Sequence, residues 1–205
     1  MCRKYYLNRS QPPMFVQMLN LYVQETGNTT ILTEALPLAD IEMKWWDYNR
    51  SIEVTSPWTN ETYTVYHYNV FVNTAPRPEG YLEDYETANG AEPALNETEK
   101  EKLYIELASG AESGWDYSVR WATERIIDLE EQFPILRKLG VVATIPVDLT
   151  SLMRGNHALV RPHYTFQGLN DLTTSWQTCT KSGETRLKAT VPTSTQPPNP
   201  LTTKK

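Results

Sequence analysis

Apolar residues recur at helical spacing along this chain, and Pro and Gly interrupt them often enough to keep each run short. Pro12-Pro13 suit a helix start, because the N–H groups of a first turn have no partners. Phe15, Met18, Leu19, Tyr22 and Val23 then share one face, and Gly27 can close the run. A second pattern begins at Thr29 or Thr30 and places Ile31, Leu32, Ala35, Leu38, Ile41 and Trp45 on one stripe, ending near Tyr48. Pro37 is expected to kink or reset its first turns. The two runs predict an antiparallel helix pair. From Ser51 to Val72 the pattern shortens and alternates among Thr and Asn, which predicts a hairpin or extended excursion. Ala75 to Gly80 is a loop stiffened by prolines on either side of Arg77.

Thr98 with Glu101 three residues on reads as a helix-starting box, and Leu103, Leu107, Ala108 and Ala111 carry that helix to Gly114. Residues 121 to 139 are helical in pattern and interrupted by Pro134. Ile145 to Leu149 reads as an extended entry into a helix bearing Leu152 and Met153. Periodicity weakens after 153, and the last residues are Pro, Thr, Ser, Gln and Lys with little to bury. The expectation is an all-α domain of antiparallel helical hairpins over residues 1–153. A tail over 154–205 follows, disordered from about 187.

Bulk properties exclude several classes. The 205 residues suit one domain. The net charge of −6 argues against a nucleic-acid or anionic-membrane surface, and Arg137-Lys138 reads as a solvated pair. No apolar run is long enough for a transmembrane segment. Cys2 and Cys179 make no disulfide framework, and His67, His157 and His163 are too scattered for a metal site. Asn8, Asn28, Asn49, Asn60 and Asn96 head Asn-X-Ser/Thr sequons. Their density favours a secreted or membrane-anchored protein over a cytoplasmic one, although no signal peptide begins at Met1.

The chemistry concentrates in Ser113-Gly-Trp-Asp-Tyr-Ser-Val-Arg-Trp121. One carboxylate, Asp116, lies between aromatic rings beside a glycine. Flat apolar faces suit a sugar ring, and an acid among them suits protonation of a glycosidic oxygen, which is a poor leaving group until protonated. Trp115 and Tyr117 would exclude water from that acid. Trp121 reads as core, and Asp148 as the cap of the helix near Leu149.

Four blocks carry a family resemblance. Arg3 to Pro13 includes Arg-Ser-Gln-Pro-Pro; Pro76-Arg-Pro-Glu79 follows; then come Ala111-Glu-Ser-Gly-Trp-Asp-Tyr117 and Ile145-Pro-Val-Asp-Leu149. In order and spacing they resemble glycoside hydrolase family 37 trehalases over roughly residues 3–153. The resemblance implies an (α/α)6 toroid and inverting hydrolysis of α,α-trehalose to two glucose molecules, with no cofactor and no metal. It implies Asp116 as the general acid, and a sugar site lined by Arg9, Ser10, Gln11, Arg77, Pro78, Glu79 and Gly114. The arginines would offer forked donors to vicinal hydroxyls and Glu79 two acceptors.

An inverting enzyme also needs a second carboxylate on the far side of the sugar, roughly 6.5–9.5 Å from the acid. No block here resembles the one that carries it in the family. Glu112 is four residues from Asp116; on one helix the two would be neighbours and could not straddle a sugar. The chain alone is therefore expected to be inactive. The alternative is a sugar-binding or interaction protein that has kept the arginine and glutamate contacts without catalysis. The oligomeric state stays open.

Overall fold

The computed structural model describes residues 4–90, 92–124 and 135–166, with side chains described to residue 160. Among the described residues the regular structure is five helices and one small sheet: α1 (Phe15–Thr26), α2 (Leu32–Asn49), β1 (Ser51–Thr55), β2 (Thr62–Tyr66), α3 (Tyr81–Asn89), α4 (Glu97–Ser113) and α5 (Val147–Phe166). Short 3-10 turns at Pro78–Gly80 and Val119–Trp121 flank the segments of chemical interest.

Most starts and stops follow from local chemistry. Gly27 closes α1 with φ of 66°, a backbone state that costs glycine no Cβ clash. Pro37 sits inside α2, in its first turns. The excursion after α2 is an antiparallel hairpin with Ser51 opposite Tyr66 and Thr55 opposite Thr62. Tyr63 and Val65 bury one of its faces, as period-two alternation requires. The starting box of α4 is Asn96 with Glu99, not Thr98 with Glu101: the Asn96 side chain accepts from the Glu99 N–H and Glu99 accepts from the Asn96 N–H. Both frames fit the pattern, and the earlier one adds helical residues.

The main core joins α1, α2, β2 and α5. Val16 and Leu19 meet Leu32, Leu36, Ala39, Met43 and Trp46 from α2, with Leu149, Met153 and Val160 from α5. Trp45, Trp46, Tyr68 and Trp121 form a chain of edge-to-face ring contacts with centroids 5.5–6.4 Å apart. Trp121 is thus core, as expected. A smaller cluster of Ala88, Leu103, Tyr104 and Leu107 joins α3 to α4. Asn156 on α5 donates to the Pro13 carbonyl at 2.7 Å, which holds the start of α1 against that helix.

Residues 154 to 166 continue α5 without a break. Two expectations change. Asp148 lies inside the first turn of that helix, and its carboxylate pairs with Arg120 at 2.8 Å. Arg137 is no solvated cation: its guanidinium donates to the carbonyls of Thr87, Ala88 and Pro93 at 2.8–2.9 Å. That satisfies carbonyls at the end of α3. The expected helix over 121–139 falls partly on residues 125–134, outside the described residues, as does the expected disorder from 187. Among the described residues no helix is long and apolar enough to cross a membrane, and no cluster could hold a metal ion.

Candidate active site

Two long-range ion pairs, Arg9 with Glu79 and Arg50 with Glu112, draw the motif segments together, and a local third, Arg77 with Asp84, fixes the Arg77 loop. Arg9 donates from Nε and one terminal nitrogen to Glu79 Oε1, at 3.3 and 2.8 Å, and from the other to the Ala111 carbonyl at 3.1 Å. Its guanidinium also lies over the Tyr6 ring, 4.8 Å from the centroid. Arg77 makes a fork to Asp84 at 2.9 and 2.7 Å, and its backbone N–H reaches the same carboxylate at 2.9 Å. Arg50 forks onto Glu112 at 2.8 Å through two nitrogens. The backbone N–H of Ser10 then donates to Glu112 Oε1 at 2.9 Å. Gln11 Nε2 reaches the Ala111 carbonyl at 3.5 Å.

Segments 9–11, 77–79 and 111–114 therefore meet at the C-terminal end of α4. Pro78 opens the 3-10 turn that presents Glu79 and is itself exposed. Gly114 caps α4 with φ of 71°, and a Cβ there would stand 3.6 Å from Pro12 Cγ. That distance is an ordinary contact, so the cost of Gly114→Ala comes from the backbone alone. We expect it to be about 1–2 kcal/mol, read as a lower urea midpoint.

Asp116 departs from its expected surroundings. It is exposed, and Trp115 and Tyr117 are themselves 53% and 55% exposed, so these rings do not exclude water from it. Among the described residues no hydrogen bond or ion pair to Asp116 is formed. The stretch after the helix has turned outward: the Trp115 ring lies under Arg120, 4.5 Å from the guanidinium, and Arg120 in turn pairs with Asp148. Tyr117 adopts φ of 55°, an uncommon state for a ring-bearing residue. Its hydroxyl lies 3.3 Å from the Arg77 guanidinium, so the residue after Asp116 stays tied to the Arg77 loop.

The expected forks of Arg9 and Arg77 are likewise turned inward, onto Glu79 and Asp84. These arginines shape the surface more than they offer spare donors. Burial pushes the Glu79 carboxyl up, but hydrogen bonding and charge from Arg9, helped by Arg77, outweigh it and leave its pKa below the ordinary glutamate value. A depressed carboxylate stabilises the fold above the unfolded value, and the contribution disappears as pH falls through the folded one. Glu79→Gln should therefore cost stability near pH 7 and much less near pH 3. Urea unfolding at both values checks this. Arg77 stays charged: burial disfavours its cation, but Asp84 more than compensates.

Sequence reasoning missed Asp84 and Arg50. Asp84 was visible only as an acid seven residues beyond Arg77, in the first turn of α3. Arg50 gave no signal, because its partner lies 62 residues away.

The comparisons agree with the blocks. The trehalase family profile matches residues 1–191, well past residue 153. The chain is 38% identical to a trehalase of Dictyostelium discoideum over 182 residues, covering 88% of this chain and 29% of that protein. It is 35% identical to a trehalase of Oryctolagus cuniculus and 33% identical to one of Homo sapiens, each over 85% of this chain and 28% of the relative. The chain thus spans less than a third of the length of these curated relatives. By that match, and by the convergence of its motif segments on one end of α4, the chain belongs to the trehalase family.

Proposed function

We propose that this chain carries the acid side of an α,α-trehalase site. Asp116 donates its proton to the glycosidic oxygen as the C1–O bond breaks. Water adds to C1 from the opposite face and gives its proton to a base, so the product is inverted. Arg9, Ser10, Gln11, Arg77, Pro78, Glu79 and Gly114 shape the surface that receives the sugar. The observation that supports this most is the meeting of three motif segments, up to 102 residues apart, at the turn that bears Asp116. The relatives are trehalases, and the mostly helical chain is compatible with one sector of an (α/α)6 toroid.

The base comes from elsewhere. Of the carboxylates that converge here, Glu79 is held by Arg9, Asp84 by Arg77 and Glu112 by Arg50. Each is already engaged by an arginine, which argues against any of them serving as the free base that inversion requires. The chain alone should release no glucose from trehalose, and measurable turnover by the purified chain would refute this. Grafted into the matched segment of the Dictyostelium trehalase, Asp116→Asn should lower kcat on the order of 10²–10⁴-fold. An undiminished rate would remove the assignment. The same pairing of carboxylates favours sugar binding without catalysis as the second reading; calorimetry of the chain with trehalose separates it from a surface that binds nothing.

A further inference from the structure

The tip of the β1–β2 hairpin carries an apolar ring and an amide that the sugar site does not use. The loop from Ser56 to Glu61 is held by its own hydrogen bonds. The Ser56 N–H donates to the Glu61 carbonyl at 2.8 Å, and the Asn60 N–H to the Ser56 carbonyl at 2.9 Å. The N–H groups of Trp58 and Thr59 both meet Ser56 Oγ at 3.3 Å. Asn60 holds φ of 55°, a state that asparagine tolerates in turns. The side chains of this loop sort into two alternating sets. Thr59, Glu61 and Tyr63 bond to one another: the Thr59 and Tyr63 hydroxyls meet at 3.2 Å, and Tyr63 donates to the Glu61 carboxylate. Trp58, Asn60 and Thr62 alternate with them and are all exposed. The Thr62 hydroxyl meets that of Thr55 across the ladder at 3.1 Å. Among the described residues, no hydrogen bond engages the Asn60 side chain and no ring or cation packs on Trp58, which is 89% exposed.

A single exposed ring is ordinary on a protein surface. What sets this one apart is the Asn60-Glu-Thr62 sequon that begins two residues later. We propose that Asn60 is an N-glycan acceptor and that Trp58 is the platform for its first sugar. The glycosyl donor is an oligosaccharide on a polyprenyl pyrophosphate. The Asn60 amide nitrogen bonds to C1 of that sugar, the C1–O bond breaks, the lipid pyrophosphate leaves, and the nitrogen gives up one proton to a base of the transferase. The first sugar, an N-acetylglucosamine, presents a C–H face and an acetyl methyl group. Two residues of chain span at most about 7 Å, so the indole stands within reach of that face. Asn49 makes the contrast. Its side chain donates to the Trp45 carbonyl at 2.9 Å, Arg50 beside it is 3% exposed, and the Ser51 hydroxyl donates to the Asp47 carbonyl at 2.5 Å. A glycan there would have to undo the end of α2. The proposal does not depend on the trehalase reading.

The test makes the full chain behind a secretion leader in a eukaryotic host and maps its sequon peptides. Chain that stays inside the cell is mapped from the microsomal fraction, so poor export does not hide the result. Asn60 should be occupied and Asn49 bare. After trimming to one N-acetylglucosamine, the acetyl methyl proton resonance should be shifted upfield by the indole ring. The remaining sugar should raise the folded-to-unfolded ratio in urea about fourfold over Asn60→Gln, the equivalent of roughly one CH2 group taken out of water. Trp58→Ala, a change at an exposed position, should abolish both the shift and the gain. A bare Asn60 overturns the proposal, whether the other sequons are occupied or not. An occupied Asn60 whose sugar shows no upfield shift overturns the pairing with Trp58. Grafted in place of the matched segment of the Dictyostelium trehalase, the hairpin should still carry its glycan. A bare Asn60 in that graft would mean that the rest of a family-length protein covers the tip, and it too overturns the proposal.

Discussion

Glu112→Ala is expected to cost about 3–5 kcal/mol, because it strands a buried cation. Glu112 is fully buried, and Arg50, its partner, is 3% exposed. The guanidinium has one further acceptor, the Asn49 carbonyl at 3.1 Å, and the face of Trp45 at 4.7 Å. Neither replaces a forked carboxylate. Removing Glu112 also leaves the Ser10 N–H without its acceptor. Urea unfolding reads the stability loss, and amide exchange at Ser10 should rise even in conditions where the α4 amides remain protected. Arg50→Met combined with Glu112→Leu should recover much of the loss, since an apolar pair avoids the desolvation of two charges. Exchange at Ser10 should stay fast in that double variant. This outcome would separate the two jobs of Glu112: filling the core and holding the Arg9-Ser10-Gln11 segment in place. Equal loss in the single and double variants would show that Arg50 is not the stranded group.

The contrast between what the sequence shows and what it hides has one physical origin. Gly27, the hairpin at Ser51 to Tyr66 and the body of α4 are local decisions, made by residues within a few positions of each other. They are legible from spacing alone. So is the order of the motif blocks. The second half of α5 was not legible because its buried stripe runs through Leu149, Met153, Asn156, His157 and Val160. That spacing is helical, but Asn156 and His157 break the apolar pattern by which a stripe is recognised. Asn156 is there to bind the Pro13 carbonyl, 143 residues away, a demand that no local window contains. The site divides along the same line. The residues proposed for it come from the motif blocks, but their pairing was not legible there. A sequence displays Arg9, Arg50 and Arg77 without saying which carboxylate each will take. The exposure of Asp116 depends on where Trp115 turns, and Trp115 turns toward Arg120, itself held by Asp148 on α5. The acid's surroundings are thus set by a residue outside its own motif.

Arg77 should prove a positioning residue before it is a sugar donor, and Arg77→Ala should cost about 3–5 kcal/mol of stability. The reasoning starts from Asp84, which is 1% exposed and accepts three N–H groups, all from Arg77. Deleting the guanidinium leaves a buried carboxylate with one backbone donor. Asp84→Asn should cost a similar amount, about 3–5 kcal/mol, because it leaves the buried Arg77 cation facing a neutral amide whose NH2 cannot accept the second donor of the fork. A lysine at 77 is not equivalent, since a single ammonium cannot reproduce two parallel N–H donors. Arg77→Lys should therefore fall between the parent and Arg77→Ala in urea midpoint. The Tyr117 hydroxyl gives a second readout. It touches Arg77 at 3.3 Å, and it adjoins Asp116 in a backbone state that a tyrosine rarely adopts. Loss of Arg77 should free that turn, so Trp115 and Tyr117 amides should exchange faster than in a variant of equal stability made in the α3–α4 cluster, such as Leu107→Ala. If the two variants exchange alike at these positions, Arg77 stabilises the fold without holding the acid's turn, and its place beside the site is incidental to Asp116.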